Sequence, residues 1–332
     1  MAIFTKVVRP IFYRTGPDIH IKEHRGLSMM TDRNDFDGSS AAALVAGCEE
    51  LHRRRLGEIA DAIAAARTER GIRMVLISGP SSSGKTTFAK RLCAALTGRG
   101  IDPVQISIDD YFVDREATPR DADGNYDFEA VEAVDLALLN DQLQRLIAGE
   151  PVIMPLFDFV SGTRRWQAEA VHPSAESVFV IEGLHALNPR LTNLIPDGRK
   201  FKIFIAPLSG VEGDDGREVS PFDMRLLRRI TRDNAHRGRS ASETLEQWPI
   251  VRRGEELYVF PFRGEADASF DSSLRYELRA LRPLTEPLLA GVPAYSPHID
   301  EARRLAGLLG AFEPLSATLV PDDSILREFI SR

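Results

Sequence analysis

The chain has 332 residues, 43% of them hydrophobic and 27% charged, which fits a globular protein and excludes a disordered one. A net charge of −7 excludes any general attraction to nucleic acid or anionic membrane, so a polyanion has to be held by a local basic site. The two cysteines, Cys48 and Cys93, argue against a disulfide framework and suit a reducing cytoplasm, and the longest apolar runs are strand-sized, too short for a membrane span.

Residues 1 to about 40 carry two candidate short strands, "IFTKVV" and "DIHIK", then a polar linker, "MMTDRNDFDGSS". "MAIFTKVVRP" lacks the apolar run of a signal peptide, so none is expected. From Ala41 to Arg70 the pattern is helical, with Leu56, Ile59, Ile63 and Ala66 on one stripe and Gly71 as the stop. Arg53, Arg54 and Arg55 read as a solvated face of that helix. This divides the chain into an N-terminal extension, 1–70, and a larger domain, 71–332.

"RMVLISG" (73–79) reads as a buried strand feeding a glycine loop. A helix over 85–97 follows, with Phe88, Leu92 and Leu96 in register, and then a strand over 102–109. The next helix is expected over 131–148, closed by Gly149 and Pro151, with "PVIMPLFDF" extended after it. "SVFVIEG" and "KFKIFIA" are continuous apolar runs, as in strands covered on both faces. Strands alternating with helices predict an α/β fold with a mainly parallel sheet and right-handed crossovers. Residues 220–332 read as mostly helical, interrupted by prolines.

The glycine loop carries the chemistry. "GPSSSGKTTF" satisfies the phosphate-loop pattern, with a strand before it and a helix after it. Between Gly79 and Gly84, Ser81, Ser82 and Ser83 are small enough for backbone amides to close on a phosphate. Lys85 supplies a point charge, the Thr86 hydroxyl can coordinate Mg²⁺, and Thr87 extends the helix N-terminus. ATP or GTP binding follows. Asp109 and Glu182 each stand where a strand leaves the sheet, on the side where open α/β sheets bind ligands. One such carboxylate can hold Mg²⁺, and the other can orient an acceptor hydroxyl and take its proton. Arg225, Arg229 and Arg232, spaced i, i+4 and i+7, share a helical face able to close over phosphates, offset developing charge and exclude water.

Six motifs in order, "GPSSSGKTTFAKRL", "ISIDDYF", "YDFE", "PLFDFVSGTR", "VFVIEG" and "RLLRRITRDNAHRGRSASETLEQW", resemble the uridine kinase/phosphoribulokinase family of P-loop kinases over roughly 73–248. Longer bacterial uridine kinase-like members carry an additional N-terminal domain, and residues 1–70 could be the remnant of one. The resemblance implies ATP and Mg²⁺ as cofactors, Asp109 as the general base and Glu182 as the organiser of Mg²⁺. It implies that Phe112, Phe128, Phe157 and Phe159 pack about a nucleoside and that Glu129 holds its ribose hydroxyls. Arg229, Arg232, Arg237 and Arg239 match the family's lid arginines, within a lid at about 222–250, and Gln247 matches a glutamine near the substrate.

Three positions depart from the family pattern. Glu129 replaces an aspartate, Phe112 a tyrosine, and Gly162 a histidine that reads pyrimidines, so weak base selectivity is expected. Residues 208–221 read as an added surface loop. The implied activity is transfer to a primary hydroxyl, the 5′-OH of a nucleoside first, or of another sugar or sugar phosphate. A non-catalytic ATP-dependent regulatory module is the other class, disfavoured because a sensor needs no acceptor base. The implied partner is a small-molecule acceptor, with no nucleic acid or membrane, and a homo-oligomer is left open.

Overall fold

Alternating burial of apolar strands between two helical layers organises this fold. The computed structural model describes residues 41–330 apart from 122 and 123. The two short strands and the linker expected before Ala41 lie outside the described residues. In chain order the elements begin with α1 (Ala41–Arg70), β1 (Met74–Ser78), α2 (Lys85–Thr97) and β2 (Pro103–Ser107). They continue with α3 (Leu136–Ile147), the hairpin β3 (Val152–Asp158) and β4 (Thr163–Val171), then β5 (Val178–Glu182) and β6 (Lys200–Ala206). A small hairpin, β7 (Val211–Glu212) and β8 (Glu218–Val219), precedes α4 (Pro221–Arg237) and α5 (Ala241–Tyr258), and the chain ends with β9 (Ala268–Asp271), α6 (Glu277–Ala290) and α7 (Ile299–Leu309).

Five of these strands form a sheet in the order β2-β5-β1-β6-β9, every neighbouring pair parallel. Strand side chains alternate between faces. Val75 and Ile77 of β1 and Val178 and Val180 of β5 therefore enter one core, with α1, α2, α4 and α6. Met74, Leu76, Phe179 and Ile181 enter the other, beneath α3. The continuous apolar runs follow from burial on both faces. Among the described residues no helix is long and apolar enough to cross a membrane.

The helix expected over 41–70 is α1. Its Leu56, Ile59, Ile63 and Ala66 lie in the same core as Phe88 and Leu92 of α2, so residues 41–70 share one compact unit with the glycine loop. Arg53 and Arg55 pair with Glu50 and Glu58 on the exposed face. Several boundaries differ from the sequence reading. β2 ends at Ser107, and Asp109 sits in a 3₁₀ turn, Ile108–Tyr111. The helix expected from 131 starts at Leu136, because the Asp135 carboxylate caps it by accepting from Leu138 N at 3.0 Å. The segment 208–221 is no free surface loop: Val211 and Val219 are buried, and Asp214 pairs with Arg279 of α6.

Candidate active site

The phosphate loop joins β1 to α2 at the carboxyl edge of the sheet. Gly79 is required by close approach, since a Cβ there would lie 1.9 Å from the Ile205 carbonyl oxygen of β6. The Ser82 and Ser83 hydroxyls are buried and have no hydrogen-bond partner among the described residues. Lys85 Nζ folds back to donate to the Gly79 and Pro80 carbonyls, both at 3.0 Å. Two amides of the loop region already hold carboxylates of the chain: Ser81 N donates to Glu255 Oε1 at 2.7 Å and Thr87 N to Glu328 Oε2 at 3.3 Å. Orphaned hydroxyls and amides that attract carboxylates are what a bound phosphate chain would use. A cavity of about 730 Å³ opens beside Thr86 and Thr87, lined also by Lys90, Arg91, Asp323 and Glu328.

Glu182 ends β5 next to β2, where Ser107 pairs with it in register. Its Oε1 accepts from Thr86 Oγ1 at 3.1 Å and from Ser107 Oγ at 3.0 Å. The carboxyl is buried, and loss of hydration pushes its pKa up to about 7. The Asp109 charge adds to the rise, and Lys85 opposes it. Thr86 and Glu182 thus form an oxygen pair suited to a hard divalent cation. Asp109 is half-buried, and its carboxylate accepts no hydrogen bond among the described residues. Its negative charge is felt at Glu182, Glu129 and Arg237, which places it between the loop, Glu129 and the arginines. Its neighbour Asp110 instead braces β3, accepting from Phe157 N at 3.2 Å.

Phe112, Phe157 and Phe159 form a ring cluster, with centroids 5.6, 6.1 and 5.1 Å apart. None of the three is buried, so they are not core packing. Arg164 holds Phe112 by donating to its carbonyl at 2.9 Å and to Asp135 at 3.1 Å. Phe128 stands apart from this cluster, exposed and packed on Tyr126 at 5.9 Å. Glu129 lies against Gly254 of α5, where a Cβ would come within 2.4 Å of its own. Shielding from water pushes its pKa up to about 7, partly offset by Arg229.

The arginine-rich stretch is the helix pair α4 and α5. Met224, Leu226, Leu227 and Ile230 bury one side of α4 in the core. Arg229 Nη1 donates to Ser81 Oγ at 2.7 Å, while Arg229, Arg232 and Arg237 converge on the buried Asp233 at 3.3, 2.9 and 3.5 Å. Arg237 also covers the Phe159 ring at 5.3 Å, and Arg239 donates to Gln247 Oε1.

Arg225, expected beside Arg229 and Arg232 on a face closing over phosphates, instead belongs to an internal pair with Glu255 and donates to the Ser81 carbonyl at 3.0 Å. Arg228, Glu255 and Glu277 escaped the sequence reading. Arg228 and Glu277, both fully buried, pair at 2.6 Å, and Arg228 also reaches the Ser82 carbonyl at 3.3 Å. The basic character of α4 was visible, but nothing local names the partners supplied by α5 and α6.

The model of the phosphoribulokinase/uridine kinase family matches residues 74–276. The chain belongs to that family. It is a kinase, transferring a phosphoryl group to a small molecule. Among curated relatives, a uridine kinase of Deinococcus deserti is 32% identical over 192 residues, 58% of this chain and 83% of that one. A uridine kinase of Ligilactobacillus salivarius is 31% identical over 193 residues, 58% and 81% of the two chains. A solved structure, a possible uridine kinase from Bacillus stearothermophilus, aligns with a TM-score of 0.45 at 22% identity, covering 66% of this chain and 98% of that one.

Proposed function

We propose that this kinase phosphorylates the 5′-hydroxyl of a nucleoside with Mg-ATP, in the cytoplasm, where the free thiols of Cys48 and Cys93 would stay reduced. One observation carries the reading. Glu182 is engaged by Thr86 and Ser107, while the Asp109 carboxylate, whose charge reaches Glu182 and Glu129, has no hydrogen-bond partner among the described residues, so one acid is committed to the loop and its neighbour is left to meet a ligand.

The loop amides, the Ser82 and Ser83 hydroxyls and Lys85 would hold the phosphates of ATP, and Thr86 with Glu182 would hold Mg²⁺. That cation supplies neutralisation of phosphate charge. Asp109 accepts the proton of the acceptor hydroxyl at its carboxylate. Glu129 takes hydrogen bonds from a ribose diol, which both oxygens of its ionised form can accept. The phenylalanine rings give a base two apolar faces at small entropic cost. Arg229, Arg232 and Arg237, fixed by Asp233 and Ser81, offset charge on the transferred group and keep water away; Arg239 and Gln247 constrain each other at the start of α5. The names of the curated relatives support the same acceptor class.

An acceptor screen with Mg-ATP tests this, following ADP and phosphorylated product over nucleosides, pentoses and pentose phosphates. Nucleoside 5′-monophosphate formed in proportion to ADP is expected. Product only from a sugar or sugar phosphate, or ADP released at a rate indifferent to any acceptor, contradicts it.

A further inference from the structure

Ser82, in the middle of the phosphate loop, has φ +60° and is the one non-glycine residue with a left-handed backbone among the described residues. Two buried ion pairs hold the peptides on either side of it. Arg225 Nε donates to the Ser81 carbonyl at 3.0 Å, and its partner Glu255 accepts from Ser81 N at 2.7 Å, so residue 81 is gripped at both ends. Arg228 Nη1 donates to the Ser82 carbonyl at 3.3 Å. The other donors of Arg228 go to the Glu277 carboxylate, at 3.0 and 2.6 Å, and to the hydroxyl and carbonyl of Ser272, at 3.3 and 2.7 Å. The Phe329 ring lies 5.1 Å from the same guanidinium. Glu277 and Phe329 both lie beyond residues 74–276, the part of the chain matched to the family.

A trans peptide is planar, with its C=O and N–H pointing in opposite directions. Drawing the Ser81 and Ser82 carbonyls towards α4 therefore turns Ser82 N and Ser83 N the other way. Neither amide has an acceptor among the described residues, and neither do the two serine hydroxyls. Consecutive amides about a left-handed residue make a concavity that binds anions. A serine in that conformation is strained, and the surrounding structure has to hold it there. Glu255 and Glu277 cancel the charges of the two arginines, so what the pairs give the loop is direction rather than attraction. Stability alone does not call for them, because apolar residues of similar volume often replace a buried ion pair without loss.

We propose that Arg228, acting with Arg225, is a positioning residue that sets the affinity for the nucleotide by fixing the two peptides whose amides meet its phosphates. This rests on the Mg-ATP part of the reading above and is independent of the acceptor.

Calorimetric titration with Mg-ATP, steady-state kinetics and urea unfolding on the same preparations test it. Arg228→Met/Glu277→Leu leaves no buried charge unpaired and should unfold close to the parent. Its Kd and KM for Mg-ATP should nevertheless rise about tenfold or more, the effect of losing a hydrogen bond from a charged donor, while KM for the acceptor stays within about threefold. Arg228→Lys keeps the ion pair, but one ammonium cannot reach Glu277, Ser272 and Ser82 together, so Mg-ATP binding should weaken in this variant too. Parent-like Mg-ATP affinity in either variant, or KM for the acceptor rising as much as KM for Mg-ATP, would overturn the positioning role and leave the kinase reading standing. A parent enzyme that binds no Mg-ATP would remove the donor reading and this inference with it.

Discussion

Replacing Glu182 with glutamine separates what this residue costs the fold from what it gives the chemistry. The carboxyl has a pKa of about 7 in the folded protein against 4.5 for an ordinary glutamate. At 1.36 kcal/mol per pH unit, the buried ionised form costs about 3 kcal/mol at pH 8 and about 1 kcal/mol at pH 5. The sign follows from the direction: the folded state binds this proton more tightly, so its contribution to stability is present below about 4.5 and is lost as pH rises through 7. Glutamine keeps an oxygen able to accept from Thr86 and Ser107 but cannot ionise. Urea unfolding in EDTA, without nucleotide, should therefore find Glu182→Gln more stable relative to the parent at pH 8 than at pH 5, by about 2 kcal/mol. Phosphoryl transfer with Mg-ATP should fall by orders of magnitude in the same variant. A stability difference independent of pH would refute the buried, strained carboxylate.

Other substitutions probe other contacts. Gly79→Ala drives a Cβ into the Ile205 carbonyl. It should destabilise the protein by about 1–3 kcal/mol and weaken ATP binding, both measurable by denaturation and calorimetry. Arg228→Met leaves the Glu277 carboxylate buried without its cation and should cost about 3–5 kcal/mol by urea unfolding, with recovery in Arg228→Met/Glu277→Leu. In the proposed contact Glu129 offers two acceptor oxygens to a diol only when ionised, and its pKa is pushed up to about 7, so KM for the nucleoside should fall as pH rises from 6 to 7.5. Glu129→Gln should raise KM and flatten that profile; a KM that still falls with pH in the variant would assign the titration elsewhere, Glu182 being the first candidate.

Local patterns in the sequence carried the phosphate loop, its flanking strand and helix, and the two carboxylates. Small residues at fixed spacing and apolar runs ending in an acid are consequences of the sheet edge itself, so they could be read without a partner. β9 was missed because four residues, Ala268–Asp271, carry too little pattern and gain their identity from β6. β4 was missed because it lies outside the main sheet, among the described residues pairs only with β3, and has a largely exposed run of side chains. The arginines of α4 were legible as charge, but not the division of labour among them. Arg225 and Arg228 brace the loop through Glu255 and Glu277, which lie 30 and 49 residues further along the chain.

Asp109→Asn, with nucleotide binding and phosphoryl transfer measured on the same preparation, tests the acceptor-base claim most directly. Mg-ATP affinity should stay within a few-fold of the parent while transfer to the nucleoside drops by several powers of ten, the loss expected when a proton acceptor and its charge are removed. Turnover close to that of the parent would show that the proton leaves by another route, and the account of this site would be wrong.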